Sequence, residues 1–129
     1  MQKTILMEKY PVNSIELQKS EISQQNVDEI IDYFKSKVDS HPVSTFISIF
    51  NHFEHTKSLN GEINEDILDA KNIVFCFGAA LPNTKILAAR PRSIGVAELE
   101  DKFTIDFIDA PKESLTEVMA TWCKELKTA

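Results

Sequence analysis

The sequence has few of the residues from which common nucleotide and redox sites are built. Three glycines in 129 residues leave little room for a glycine-rich phosphate loop. The two cysteines, Cys76 and Cys123, form no CxxC pair and cannot build a disulfide framework for a domain of this size. The sequence also lacks GxSxG, GxxxxGK[ST], GxGxxG and HExxH patterns. No motif of these kinds therefore indicates which reaction, if any, the protein catalyses.

Charge and hydropathy exclude further classes of protein. Twenty acidic and fourteen basic residues give a net charge of −6, which repels nucleic acid and anionic lipid surfaces. The apolar run at residues 5–7 is too short for a signal peptide, and no window reaches the roughly 18 apolar residues of a membrane span. We expect a cytoplasmic protein with reduced thiols that binds neither nucleic acid nor membranes.

The length and the 43% hydrophobic content predict one domain over residues 1–129, with a core that needs no metal. Asn26 and Glu29 resemble a capping box that opens a helix ending before His41. A second helix is expected at the C-terminal end, opened by a capping box at residues 114–117. Its apolar stripe contains Leu115, Val118, Met119, Trp122 and Leu126.

Strands are expected between the two helices and before the first one. The apolar run at residues 73–77 is typical of a central strand covered on both faces. The other expected strands are residues 12–19 and 85–89, and a hairpin of residues 93–100 and 103–108. This order predicts an α+β fold with a mostly antiparallel sheet and helices on one face, a ferredoxin-like or related sandwich. The other face must then be polar, covered by a ligand or buried in a dimer. The apolar middle strand favours a dimer or a pocket as the cover, and a homodimer is expected.

Residues 43–56 have two interpretations, and the histidines depend on them. The spacing of the apolar residues fits an amphipathic helix, whereas the β-branched and aromatic composition favours a strand, which we prefer. On a strand, His52 and His55 lie on opposite faces and cannot share an ion. On a helix they share a face.

The segment Arg90-Pro91-Arg92 holds the only two arginines of the chain, inside a stretch without acids from Lys71 to Ala97. The proline favours an extended Arg90, and residues two apart on an extended segment point the same way. Two guanidinium groups on one patch suit a carboxylate or a phosphate. The leading hypothesis is therefore a non-enzymatic domain that binds a small anion or acidic group through Arg90 and Arg92, with Lys85 supporting.

A simpler interpretation of the arginines is that they pair with Glu98, Glu100 or acids of a partner subunit. A different class of function is a metal- or haem-binding protein or enzyme that uses His52 and His55 with Cys76. Two imidazoles are too few for zinc without a further ligand, and a cysteine between two phenylalanines is expected to pack as a small hydrophobe. We therefore expect no cofactor and assign no catalytic residue. A purely structural or interaction protein is the third class.

Three stretches resemble a known family: His41-Pro42, residues 69–78, and residues 90–96 with the sequence RPRSIGV. They are similar to a family of small uncharacterised bacterial proteins, a domain of unknown function. The resemblance covers most of the chain and implies a bacterial cytoplasmic protein. It implies no activity, cofactor or catalytic residue.

Overall fold

The structure is a computed structural model that describes residues 1–128. Its strands are β1 (Gln2–Leu6), β2 (Tyr10–Gln18), β3 (Ser44–Asn51), β4 (Asp69–Phe77), β5 (Arg92–Glu98) and β6 (Lys102–Ile108). Its α-helices are α1 (Val27–Ser40), α2 (His52–Ser58) and α3 (Glu113–Lys124), and two 3₁₀ segments cover Lys19–Glu21 and Thr84–Ala89. No helix among residues 1–128 is long and apolar enough to cross a membrane.

The six strands form one sheet in the order β1-β2-β6-β5-β4-β3, and every neighbouring pair is antiparallel. Strands β3 to β6 follow one another as a meander, and β2 pairs with the free side of β6. The predicted α+β class with an antiparallel sheet is confirmed. The element order differs from the β-α-β-β-α-β of ferredoxin-like folds. Of the two predicted possibilities, a ferredoxin-like fold or a related sandwich, the fold corresponds to the related sandwich.

Helices α1 and α3 pack together on one face of the sheet. Trp122 of α3 contacts Phe75 and Phe77 of β4, and its backbone oxygen accepts a hydrogen bond of 2.6 Å from Tyr33 of α1. The buried apolar strand residues of this core are Leu17, Ile73, Phe75, Phe77, Ile94, Val96, Phe103, Ile105 and Phe107. Burial of each such side chain stabilises the fold by roughly 1.5–3 kcal/mol, so this layer is the main source of stability.

The first helix has the predicted ends. Asn26 Oδ1 accepts from the backbone nitrogen of Glu29 at 2.9 Å, and the helix ends at Ser40. The second predicted capping box is wrong, because α3 already begins at Glu113 and Ser114 lies inside it. A side-chain hydrogen bond instead links the first turn of α3 to the preceding segment: the hydroxyl of Thr116 accepts from the backbone nitrogen of Ala110 at 2.8 Å.

Residues 43–56 form both of the expected elements in turn. The strand prediction is correct for Ser44–Asn51 and wrong for the residues after it, which form α2. The physical reason is a cap: Asn51 Oδ1 accepts from the backbone nitrogen of Glu54 at 2.9 Å, which satisfies a free donor at the helix start.

Three other strand predictions need correction. Residues 2–6, for which no element was expected, form the edge strand β1, and the strand expected at residues 12–19 is β2, which lies inside the sheet between β1 and β6. The expected strand at residues 85–89 is a 3₁₀ segment, because Asn83 Oδ1 caps the backbone nitrogens of Lys85 and Ile86. Strand β4 lies next to the edge strand β3, and its second face is half-buried rather than covered.

Candidate functional site

A cavity of about 320 Å³ lies where β4 ends and β5 begins, between the connecting loop and the start of α3. We call it the arginine cavity. Its charged lining residues are Arg90, Arg92 and Lys112, and no acidic residue lines it. The rest of its lining consists of Val43, Phe77, Gly78, Ala79, Ala80, Pro82, Ile86, Ala89, Ala110, Pro111 and Leu115. The cavity is therefore apolar apart from three cations.

Arg90 is held against the start of the connecting loop. Its backbone is extended, as expected, with φ −122° and ψ 145°, and the following bond to Pro91 is cis. Its Nη1 donates to the backbone oxygen of Ala80 at 2.9 Å, and its guanidinium lies over Gly78. Among residues 1–128, Arg90 makes no ion pair with a carboxylate.

Arg92 has a structural role as well as a place in the cavity wall. Its Nη2 donates to the backbone oxygens of Ile108 and Asp109 at 3.1 and 2.9 Å, and its Nη1 to that of Ala89 at 3.3 Å. Its buried Nε has no hydrogen-bond partner in the described chain. Burial lowers the pKa of Arg92, and the nearby Asp109 carboxylate opposes that shift. Arg92 thus ties the start of β5 to the end of β6.

The carboxylate of Asp109 is engaged on its other side. Its Oδ1 accepts from Asn13 Nδ2 at 2.7 Å, and its Oδ2 pairs with Lys3 Nζ at 2.9 Å. The hydrogen bond from Asn13, followed by that from Lys3, holds the pKa of Asp109 below its usual value, although burial opposes them. Asp109 does not line the arginine cavity. Its charge acts near Arg92 without a direct ion pair.

The structure brings together two of the three predicted ligand residues. Arg90 and Arg92 line one cavity, whereas Lys85 is exposed on the 3₁₀ segment and does not line it. Arg90 and Arg92 make no ion pair with Glu98, Glu100 or any other acid among residues 1–128. Glu98 pairs with Lys19 instead, at 2.8 Å. Lys112, which no sequence pattern indicated, is the third cation in the lining.

His52 and His55 lie on one face of a helix, since α2 contains both. The ring of Phe50 contacts them, with centroid distances of 4.6 Å to His52 and 5.2 Å to His55. No group of three His, Cys, Asp or Glu residues that could hold a metal occurs within the described range.

Cys76, the third residue of the alternative set, lies at the far end of β4. It pairs with Thr45, whereas Asn51, just before His52, pairs with Lys71. Five residues of strand separate the two positions, about 16 Å at the usual rise of ~3.3 Å per residue. The fold therefore does not bring Cys76 to the two histidines.

Comparison with known proteins agrees with this picture of the fold. Residues 1–128 match the Family of unknown function (DUF6858). The chain belongs to this family. The resemblance to a domain of unknown function is thus confirmed. No curated protein matches the sequence.

A solved structure also resembles this chain. It is the crystal structure of the uncharacterized conserved protein DUF302 from Bacillus stearothermophilus. The TM-score is 0.56 at 11% identity, over 89% of this chain and 91% of that chain. At this identity the likeness concerns the fold alone.

Proposed function

We propose that this protein binds a small anion in the arginine cavity, with Arg90 as the main contact and with Arg92 and Lys112 beside it. One observation carries the proposal: three cations and no acid line one mostly apolar cavity. A cation near apolar walls loses hydration, and an anion of matching size restores that lost interaction.

Arg90 is the best placed of the three to contact a ligand. A guanidinium has five donors, and within residues 1–128 the Arg90 side chain makes one hydrogen bond, from Nη1. Arg92 donates three hydrogen bonds to backbone oxygens, so we assign it mainly a structural role in the wall of the cavity. Lys85, outside the lining, receives no part in this proposal.

We propose binding rather than a reaction. The lining contains no Ser, Thr, Cys, His, Asp or Glu, so Lys112 is its one side chain of a type that acts as a nucleophile or general base, and it has no acid or base partner in the cavity. The three cations can orient and neutralise an anion, which is the task of a binding site.

The proposal is tested by isothermal titration calorimetry with a panel of phosphate, acetate, benzoate and octanoate. The wild type is compared with Arg90→Gln, and Lys85→Gln serves as the control that removes one charge from the same loop. At least one anion should bind the wild type and the control alike, and about tenfold or more weakly to Arg90→Gln. Equal affinity in all three proteins, or no binding of any anion, would refute the proposal.

A second candidate function is self-association through the outer strand β3, for which one observation speaks. None of the eight residues of Ser44–Asn51 is charged. Ile47, Ile49 and Phe50 of this strand are exposed at 50%, 46% and 41%. Free edges are usually protected by charge or proline. We propose a second copy as the occupant, because two such neutral strands can pair antiparallel without like-charge repulsion.

Light scattering after size exclusion tests this second candidate. The wild type should be dimeric, and Ile47→Lys should be monomeric with an unchanged circular dichroism spectrum, because the lysine places a charge on the shared edge. Ser36→Lys, on the exposed side of α1, is the control and should stay dimeric. A monomeric wild type contradicts the proposal.

A further inference from the structure

We infer that the anion of the arginine cavity is an amphiphile, a carboxylate attached to an apolar body of about five to seven carbons. This inference rests on the proposed function and names its ligand class. It follows from the chemistry of the lining, the type of cation and the volume.

The eleven uncharged lining residues carry no side-chain hydrogen-bonding group. They are Val43, Phe77, Gly78, Ala79, Ala80, Pro82, Ile86, Ala89, Ala110, Pro111 and Leu115. A sugar, a polyol or a nucleoside would bury hydroxyl or ring nitrogen groups against these walls without side-chain partners, and each unmatched group weakens binding. The lining therefore disfavours sugar phosphates and nucleotides and fits a ligand whose body is hydrocarbon.

The cations favour a carboxylate as the charged end of the ligand. The planar fork of Arg90 matches the two oxygens of a carboxylate, and Lys112 adds a second, flexible positive charge. A phosphate has further charged oxygens, and these would face alanine, proline and leucine side chains. A single carboxylate leaves no charged atom against the apolar wall.

The volume limits the length of the apolar body. At about 30 Å³ for a water-sized group, a cavity of about 320 Å³ holds roughly ten non-hydrogen atoms. Hexanoate, benzoate and octanoate have about eight to ten such atoms and fit. Each methylene that enters the cavity contributes about 0.8 kcal/mol, which is up to about fourfold in affinity.

The chain contains its own reporter of this cavity. Its single tryptophan, Trp122, packs on Phe77 with a centroid distance of 5.7 Å, and Phe77 lines the cavity. A ligand that fills the apolar part of the cavity contacts Phe77 and alters the surroundings of Trp122. Tryptophan emission therefore follows occupancy of the apolar part.

The test is a titration with straight-chain carboxylates from acetate to decanoate, below their micelle concentrations, followed by calorimetry and tryptophan emission. Affinity should rise by up to about fourfold per methylene and level off near eight carbons, where the cavity is full. Octanol, which has the same body without charge, should bind about tenfold or more weakly than octanoate. Phosphate should bind more weakly than octanoate and leave the emission unchanged.

Two variants separate the roles of charge and wall. Arg90→Gln should weaken octanoate about tenfold or more, and Lys85→Gln should not. Ile86→Ser should weaken octanoate and leave acetate unchanged, because only the longer ligand contacts the apolar wall.

The outcomes distinguish this inference from the proposed function. If phosphate or acetate binds as tightly as octanoate and depends on Arg90, the inference is wrong and the proposed function stands. If no anion binds, or if octanol binds as tightly as octanoate, both are wrong.

Discussion

The guanidinium of Arg90 occupies the space that a side chain at position 78 would need. A Cβ atom at position 78 would collide with Arg90 Nη2 and lie 3.2 Å from Arg90 Cζ. Gly78 also has φ +99°, a conformation that other residues rarely adopt. The glycine at the end of β4 therefore sets both the direction of the connecting loop and the position of the main proposed contact. Gly61 and Gly95 have no such relationship to the arginines.

The first prediction concerns Gly78→Ala. We expect it to lower the free energy of unfolding by about 1–3 kcal/mol, because the new methyl group meets Arg90 and the backbone is strained at positive φ. Urea unfolding followed by Trp122 emission measures the change. The variant should also bind octanoate more weakly, since the guanidinium has to move.

A double variant separates the two causes. In Gly78→Ala/Arg90→Ala the collision is absent and only the backbone strain remains. The alanine at 78 should therefore cost less stability in the Arg90→Ala background than in the wild type. Equal costs in the two backgrounds would show that the contact between the two residues has no energetic weight.

The second prediction separates the two arginines by their effect on stability. Arg92→Met should lower the free energy of unfolding by about 2–4 kcal/mol, because three backbone oxygens lose a charged donor. Arg90→Gln removes one such bond and should cost about 1 kcal/mol or less. Urea midpoints of the two variants decide this, and a larger loss for Arg90→Gln contradicts the assignment.

The third prediction concerns the dependence of stability on pH. The pKa of Asp109 in the folded protein is below its ordinary value of about 3.9, because Asn13 and Lys3 donate to the carboxylate. The stabilisation is therefore fully present above about pH 4 and is lost as the pH falls through the folded pKa.

Asp109→Asn is the variant that tests this linkage. It should be less stable than the wild type at pH 7, and the difference should shrink as the pH falls below about 4. Asp32→Asn, on the exposed side of α1, is the control. In this variant the free energy of unfolding should change between pH 7 and pH 3 by the same amount as in the wild type. A constant difference for Asp109→Asn across this range contradicts the prediction.

The fourth prediction concerns the two thiols. Cys123 is fully buried in α3, and burial raises its pKa to about 12, so its reactive thiolate is scarce at neutral pH. Cys76 is half-buried on β4. A thiol reagent should label Cys76 in the folded protein and Cys123 only after denaturation. Mass spectrometry of wild type and Cys76→Ser measures this, and rapid labelling of folded Cys76→Ser would show that Cys123 is accessible.

The elements with a strong local signal could be predicted from sequence. Helix α1 has a capping pattern and a regular apolar stripe, and the β5–β6 hairpin has clear alternation. Strand β1 has neither, because all five of its residues are exposed and only pairing with β2 defines it. Helix α2 has a local signal of its own, because Asn51 caps the backbone nitrogen of Glu54. The β-branched and aromatic residues before it nevertheless favour a strand over the whole stretch 43–56.

The candidate site also has some features that can be predicted from the sequence and others that depend on the fold. The acid-free segment around the two arginines and the extended backbone of Arg90 can be predicted from the amino-acid order, since charge order and the effect of proline are local properties. The hydrogen bonds from Arg92 to backbone oxygens at the end of β6, and the place of Lys112 rather than Lys85 in the cavity lining, follow from the folded chain and not from the local sequence. Those relationships depend on strand pairing and on where α3 begins, because residues distant in the chain meet only after the sheet has formed.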